Sequence, residues 1–427
     1  MKEQIRCPPP PEVWLDQQSV NAGPGQVAVP TTQLTNGNIL VTWQEIVVVA
    51  VPFSINISIH GQILGFDGTP IGGELTLNTL ETTGLQTLPS VTAPANGNFA
   101  VAYTSEVTSG EGDLIHEVYT SSGTFVRSDR FVNDIGNGNT FDDANAAISA
   151  ANTGDNAIAA YVIDNDDGSE DIAFRILNTV TGNDGPETIL FNGVCGSGED
   201  VSGPEVATLA DGSYVMAYVN RNDVPNESLN VRLISAAGVA GNSISVDNSF
   251  EDATDTDVTA LTGGRFVVAW TVDNTDGTNT GIRYRVYEAN GTPVTGVLSP
   301  LTTAAGNQVN AKVTGLADGG FVITWEDNEI DAIKGQHFNV NGAAVGVEFT
   351  IDGAGTESQG DVQATEDGRF FRHGSRTARS GSSSTTPATA PTPRQPIPMA
   401  RSSAQSALIW SMRRPTSPTA CGTAPTR

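Results

Sequence analysis

Six times along the chain a run of small and β-branched apolar residues ends in a large aromatic ring. The runs are GNILVTW to Trp43, GNFAVAY to Tyr103, GDNAIAAY to Tyr161, GSYVMAY to Tyr218, GRFVVAW to Trp270 and GGFVITW to Trp325. The aromatics are spaced 60, 58, 57, 52 and 55 residues apart. Each run starts at a Gly/Asn or Gly/Asp turn and is too short for an ordinary core helix. Its β-branched, unbroken apolar character predicts a strand covered on both faces. The clearest unit is Leu316–Asp352. There an Asp318-Gly319-Gly320 turn launches Phe321–Trp325, a polar loop covers Glu326–Asp331, and an extended segment runs from Ile333 to Val340. Asn341-Gly342 then marks a hairpin, because both residues accept positive φ, and Val345–Ile351 alternates apolar and polar positions.

Four strands per unit, repeated every 52 to 60 residues, predict propeller blades with each aromatic packed between neighbours. The two ends extend the pattern. Val13–Asn21 resembles the close of a unit, as in Val297–Gln308, and Gly360–Phe371 resembles the opening of a seventh. The expected fold is all-β, a seven-bladed β-propeller of four-stranded blades. Its last blade is incomplete and is closed by the N-terminal strand, which removes two free sheet edges. Residues 1–12 read as a disordered leader and 13–371 as the propeller. Residues 372–427 read as a disordered, basic tail rich in Ser, Thr, Pro and Arg. From Gly368 to Arg427 there is no Asp or Glu, yet nine of the 21 basic residues lie there. Two accounts compete for that break. One is a basic tail for an anionic partner. The other is translation out of frame after Phe371, since a one-nucleotide shift permits Val-Thr at Arg372-His373.

Charge narrows the function. The formal net charge is -27, and residues 1–367 hold 48 acidic against 12 basic side chains. Such a surface is wrong for nucleic acid, whose phosphates need Lys and Arg. No apolar run reaches the roughly 18 residues of a membrane helix. Cys7, Cys195 and Cys421 match no metal or redox spacing, and the opening residues lack the apolar core of a secretory signal. Ile46–Phe53 is apolar where other units are polar. It either lengthens two strands or offers a contact to another subunit or domain.

The pattern (A/D)DGGFVVxW, acidic loop, GQxFxxxGxxVGxEFxV resembles tandem repeats of large bacterial secreted proteins that often carry repeats-in-toxin calcium-binding segments. The resemblance spans about Val13 to Phe371 and is strongest in Asp257–Asp352. It implies a propeller-like module of an extracellular or cell-surface protein, exported without a cleaved N-terminal signal. The chain lacks the GGxGxD nonapeptides of those segments.

Calcium is the leading candidate cofactor, because it takes six to eight oxygen ligands and Asp/Asn-rich loops supply them. Asn165, Asp167 and Asp171 fit the form DxDxDGxxD, with Ile163 in the first ligand position. In the fifth unit Asn274 and Asp276 fit, while Val272 and Thr280 take the end positions. Glu251–Asp257 reads as a solvated loop between blades. No GxSxG, HExxH or phosphate loop occurs, and His60, His116, His337 and His373 have no partner assignable from spacing. The expectation is a non-catalytic binding or scaffold module, adhesin-like, monomeric or part of a larger chain, with an extracellular protein or glycan as partner. The alternatives are a propeller-type polysaccharide hydrolase or lyase, and a truncated fragment without independent function. A carboxylate pair clustered in the channel mouth, with stacking aromatics beside it, would favour the hydrolase. Scattered, solvated acids would favour the module.

Overall fold

The computed structural model describes residues 13–14, 18–19, 26–50, 53–65, 67–108, 111–131, 143–151, 154–165, 169–190, 201–220, 228–247, 252–273, 280–301, 306–352, 356–364, 370–377 and 406–413. Among them the regular structure is all strand, and the chain is an all-β propeller. Two short strands come first, β1 (Val13–Trp14) and β2 (Gln18–Ser19). The first blade is β3 (Gln26–Gln33), β4 (Ile39–Ala50), β5 (Phe53–Leu64) and β6 (Pro70–Thr76). The second is β7 (Leu85–Thr92), β8 (Asn98–Thr108), β9 (Glu111–Thr120) and β10 (Phe125–Phe131). The third is β11 (Asp143–Ala150), β12 (Asn156–Asn165), β13 (Ser169–Asn178) and β14 (Thr188–Ile189). The fourth is β15 (Val201–Thr208), β16 (Tyr214–Asn220), β17 (Ser228–Ile234) and β18 (Ala240–Ser245). The fifth is β19 (Asp252–Ala260), β20 (Phe266–Asp273) and β21 (Thr280–Tyr287), edged by single bridges from Tyr284 to Leu298 and Tyr287 to Pro293. The sixth is β22 (Gln308–Gly315), β23 (Phe321–Asp327), β24 (Ala332–Phe338) and β25 (Ala344–Asp352). The seventh is β26 (Thr356–Ala364), β27 (Phe370–Thr377) and β28 (Ser406–Arg413).

Within each blade consecutive strands pair antiparallel, so every blade is a meander from the axis outward. The apolar runs are the second strands, covered on both sides. Trp43, Tyr103, Tyr161, Tyr218, Trp270 and Trp325 are all buried at 1% exposure or less. The cores lie between blades. Tyr103 packs with Leu40, Ile59 and Leu77 of the first blade, and Trp270 with Ala217, Val219 and Leu229 of the fourth. Each ring removes roughly 150–250 Å² from water, a transfer contribution of about 4–6 kcal/mol before ordering entropy is subtracted.

The N-terminal segment does join the last blade. Val13 pairs with Arg413 and Trp14 with Met412, while Gln18 pairs with Ile409. It does so through a strand from the segment expected to be disordered: β28 lies between β27 and β1/β2. The physical reason is the run SALIWSMR, whose Leu408, Ile409, Trp410 and Met412 give it strand-forming character. The blade also runs past Phe371, with Phe371 to Arg376 all paired to β28. The remainder of the tail, the leader at 1–12 and all three cysteines lie outside the described residues. Ile46–Ala50 and Phe53 lengthen two strands, since β4 and β5 stay paired out to Ala50 opposite Phe53.

Candidate functional site

Every inner strand carries a bulge at the same place. Two residues oppose one between Ala28 and Thr31, Thr87 and Ser90, Ala144 and Ala147, Ser202 and Glu205, Thr254 and Asp257, Val309 and Lys312, and Gln359 and Val362. At four of the seven the first bulged residue is left-handed: Leu88 (φ 50°), Gly203 (φ 55°), Asp255 (φ 45°) and Asn310 (φ 56°). For three of these the side chain makes that conformation strained, and it persists because the ladders on either side hold it. A bulge bends its strand and re-aims the next side chain. Here it turns one residue per blade toward the axis.

Those residues are Ser90, Ala147, Glu205, Asp257 and Lys312, each directly after its bulge, with Pro30 and Asp361, each the second residue of its bulge, and all seven line one cavity of about 930 Å³. Blades one to three present small or apolar side chains, and blades four to seven present three carboxylates and an ammonium. The ring is therefore charged on one side and open on the other. Short side chains at these positions also tie blade to blade. The Asp257 carboxylate accepts the Val313 N–H at 2.7 Å, and the Ser90 hydroxyl accepts the Ile148 N–H at 3.1 Å. Asp361 accepts the Thr31 N–H at 2.9 Å, which joins the seventh blade to the first. One layer further along, Thr92, Ser149, Thr259 and Thr314 accept backbone N–H groups of the following blade. There the channel continues into a second cavity of about 410 Å³ lined mainly by hydroxyls and small residues.

The electrostatics separate the three acids. All are half-buried, open to channel water but walled in by strands. Burial pushes the Glu205 carboxyl up to about 8, with Lys312 opposing and Asp257 and Asp361 adding to the rise. Asp257 rises less, to about 6: burial raises it, while Lys312 and the N–H groups of Val313 and Val258 favour its anion. Asp361 is also raised by burial, and Lys312 and the N–H groups of Thr31 and Val362 act the other way. Burial works against the charge of Lys312, but Asp257, Glu205, Asp361 and Asp255 outweigh it and hold the ammonium protonated. Near neutral pH the ring thus holds Glu205 as a protonated carboxylic acid beside the ionised Asp257 and one cation. Such a split is how one site supplies both an acid and a base.

The residues expected to bind calcium are placed differently. Asn165 and Asp171 sit on β12 and β13 of one hairpin, Asn165 opposite Ser169 and Asp171 opposite Ile163, and Asp171 is buried at 5% exposure. Asp167, Asn274 and Asp276 lie outside the described residues. Among the described residues the compact His/acid groups are elsewhere, at Glu45, His60 and Glu74 and at His116, Asp129 and Asp184. In the first, the His60 ring nitrogens lie 3.2 Å from Glu45 and 2.7 Å from Glu74. In the second, Arg127 also pairs with Asp129, and burial, with Arg127 nearby, lowers the His116 ring to about 3. The expectation that Glu251–Asp257 is a solvated loop is corrected. Asp252–Asp257 belongs to β19, and Asp257 faces the channel. The signal was available: Glu205, Asp257, Lys312 and Asp361 each stand nine residues before Tyr214, Phe266, Phe321 and Phe370, where the next strand begins.

No protein-family model matches the chain, and no curated protein matches it. Solved structures do, and they define the class as β-propeller. A protein of unknown function from Dyadobacter fermentans is similar at TM-score 0.54 and 9% identity, covering 95% of this chain and 100% of that one. An α-L-arabinofuranosidase from Fusarium graminearum, in complex with an iminosugar inhibitor, is similar at TM-score 0.50 and 13% identity, covering 74% and 93%. The α-L-arabinanase of Penicillium chrysogenum gives 0.49 at 15% identity, covering 78% and 99%. The expectation of a non-catalytic module, and with it the expectation that the chain is not an enzyme, is corrected by the likeness to the arabinofuranosidase. The hydrolase alternative is the better supported. Of the two features set out as favouring it, the clustered carboxylates are present. The other is not met: among the described residues lining the 930 Å³ cavity there is no Phe, Tyr, Trp or His.

Proposed function

We propose that the protein is a glycoside hydrolase whose reaction takes place in the axial channel. The observation that carries the reading is the placing of Glu205, Asp257 and Asp361 on equivalent bulges around one cavity, with Lys312 among them. Cleaving a glycosidic bond needs a proton for the leaving oxygen and a carboxylate on the other side of the sugar. Glu205 keeps its proton to about pH 8 and is the acid. Asp257, held as the anion by two backbone N–H groups at 2.7 and 2.9 Å, serves the nucleophile. Lys312 stabilises that anion and orders the cluster. The small side chains of blades one to three leave room for a sugar ring against the charged side. The fold shared with the Fusarium arabinofuranosidase agrees with this reading.

The test is release of reducing ends from a panel of plant and bacterial polysaccharides by the full chain. Activity in the native protein, lowered at least 100-fold in Glu205→Gln with an unchanged melting temperature, is expected, since positioned acid catalysis contributes about 10²–10⁴. Full activity in Glu205→Gln would remove Glu205 from the role, and inactivity of the native protein across the panel would remove the reading.

A further inference from the structure

We propose that the first blade binds a divalent transition-metal ion of the zinc type between Glu45, His60 and Glu74. The proposal is independent of the hydrolase reading, and none of the three residues lines either cavity of the channel.

The first ground is geometry. Glu45 is on β4, His60 on β5 and Glu74 on β6, three adjacent strands. His60 stands opposite Trp43 on one side and Thr76 on the other. Glu45 and Glu74 are each two residues along from those partners, so alternation puts all three side chains on one face. One oxygen of each Glu and one ring nitrogen of His60 lie within 4.8 Å of one another. The His60 Nδ1 is buried and makes no hydrogen bond, although a Glu74 oxygen is 2.7 Å away. A nitrogen and an oxygen that close, without hydrogen-bond alignment, are placed as two ligands of one ion are. Ligands about 2.0–2.2 Å from a shared ion lie about 3 Å from each other. Trp43 stacks on the imidazole, centroids 6.3 Å and planes 19° apart, which fixes the ring before any ion arrives.

The second ground is the sixth blade, which repeats the arrangement with a resident cation. His60-Gly61-Gln62 corresponds to Lys334-Gly335-Gln336, and Glu74-Leu75-Thr76 to Glu348-Phe349-Thr350. Lys334 stands opposite Trp325 and Thr350, and Asp327, two residues past Trp325, takes the place of Glu45. The outer hairpins are built alike: Gln62 donates to the Ile63 and Ile71 carbonyls, and Gln336 to those of His337 and Val345. In the sixth blade the Lys334 ammonium lies 3.1 Å from Asp327 and 2.8 Å from Glu348. The place between the two carboxylates is therefore one that holds positive charge. The first blade keeps the carboxylates and exchanges the ammonium for an imidazole. An imidazole offers a lone pair where lysine offers a fixed charge, so this blade can take its cation from solution.

The ligand types select the ion. Imidazole suits zinc and its neighbours, and one nitrogen with two carboxylate oxygens makes a three-ligand set that water completes. Calcium takes six to eight oxygens, more than two Glu side chains supply. The group at His116, Asp129 and Asp184 does not qualify, because the Arg127 guanidinium pairs with Asp129 and approaches Asp184. An ion at His60 would also have a structural effect. Strand β6 is exposed along nearly its whole length, and the ion would tie this outermost strand to the two inside it.

Equilibrium dialysis of the full chain against zinc at neutral pH tests this, with the cysteines alkylated so that thiolates do not take up the metal. The native chain should bind one equivalent more than His60→Lys, a variant that installs the sixth blade's own arrangement and so supplies the carboxylates with a cation. Glu74→Gln changes a side chain on the exposed outer strand and leaves the fold intact. It should weaken the same equivalent at least tenfold. Calcium at the same concentration should not displace the zinc. Equal uptake by the native chain and His60→Lys would show that the imidazole only stands in for the Lys334 ammonium, and would overturn the proposal. So would no uptake by the native chain, an affinity in Glu74→Gln within twofold of native, or displacement by calcium.

Discussion

Replacing Glu117 with Ala should be among the most damaging single changes outside the channel. Glu117 lies on β9 with no exposed surface. Its carboxylate accepts four hydrogen bonds: the Tyr103 hydroxyl at 2.7 Å, the Tyr119 hydroxyl at 2.5 Å, the Thr79 hydroxyl at 2.6 Å and the Leu80 N–H at 2.7 Å. Two of these come from the second blade itself and two from the connection that leaves the first, so the group ties the two blades together. Burial, and after it the Glu117 charge, push both tyrosine hydroxyls far above their ordinary values, so they remain donors at any working pH. Bonds to an ionised acceptor contribute about 1.5–3 kcal/mol each, and a buried donor left without a partner costs about 1–3 kcal/mol. The terms overlap, because the cavity left by Ala admits water to some donors. A loss of about 3–5 kcal/mol is therefore expected, as for a buried charged group whose partners are stranded. Glu117→Gln keeps one acceptor oxygen and should lose about half as much. Urea unfolding followed by tryptophan fluorescence measures both. A shift in the Ala variant worth less than 1 kcal/mol at unchanged slope would refute the argument that this carboxylate organises the joint.

Other expectations follow from the same geometry. Gly315→Ala would place a Cβ 2.5 Å from the Ala260 carbonyl oxygen of the neighbouring inner strand; a melt should show a loss of about 1–3 kcal/mol, and an unchanged melt would show the blades can separate there freely. Removing residues 404–427 takes away β28, leaving β27 as an open edge and β1 and β2 without their partner; light scattering should detect association, and a monomeric, equally stable product would disprove the role of β28. Glu205 holds its proton more tightly in the folded chain than its ordinary 4.5, so its contribution to stability is full at low pH and is lost as pH rises through about 8. Glu205→Gln should accordingly lose less stability than the native protein between pH 5 and pH 9 in parallel melts, and equal loss would place Glu205 in open water.

The parts of this fold that were legible in the sequence are those in which pattern and burial coincide. Trp270 and Trp325 end runs that are apolar throughout, and such runs have one stable use, as strands covered on both faces. Asn341-Gly342 announced its hairpin because a left-handed backbone is required there, and Gly342 indeed has φ 79°. The channel was harder to see. Asp257 lies among Asp252, Asp255 and Thr256, a composition that reads as loop. What turns it inward is a backbone event, the bulge at Asp255 and Thr256, and no composition reports that. Glu205 and Asp361 were passed over for the same reason, since each looks like a lone surface acid until the seven bulges are superposed. β28 was hidden by distance: 28 residues of Ser, Thr, Pro and Arg-rich chain separate it from Thr377, although Leu408-Ile409-Trp410 carried the strand signal.

The most direct measurement of the central claim is the pH dependence of kcat/KM on whichever polysaccharide the protein cleaves. Glu205 must be protonated and Asp257 ionised. Activity should therefore fall below about pH 6, where Asp257 takes up its proton, and above about pH 8, where Glu205 loses its own. Glu205→Gln should abolish the alkaline limb together with most of the rate. A profile that is flat between pH 5 and 9, or limbs that survive in Glu205→Gln at native rates, would contradict the assignment of the channel as the place where the glycosidic bond breaks.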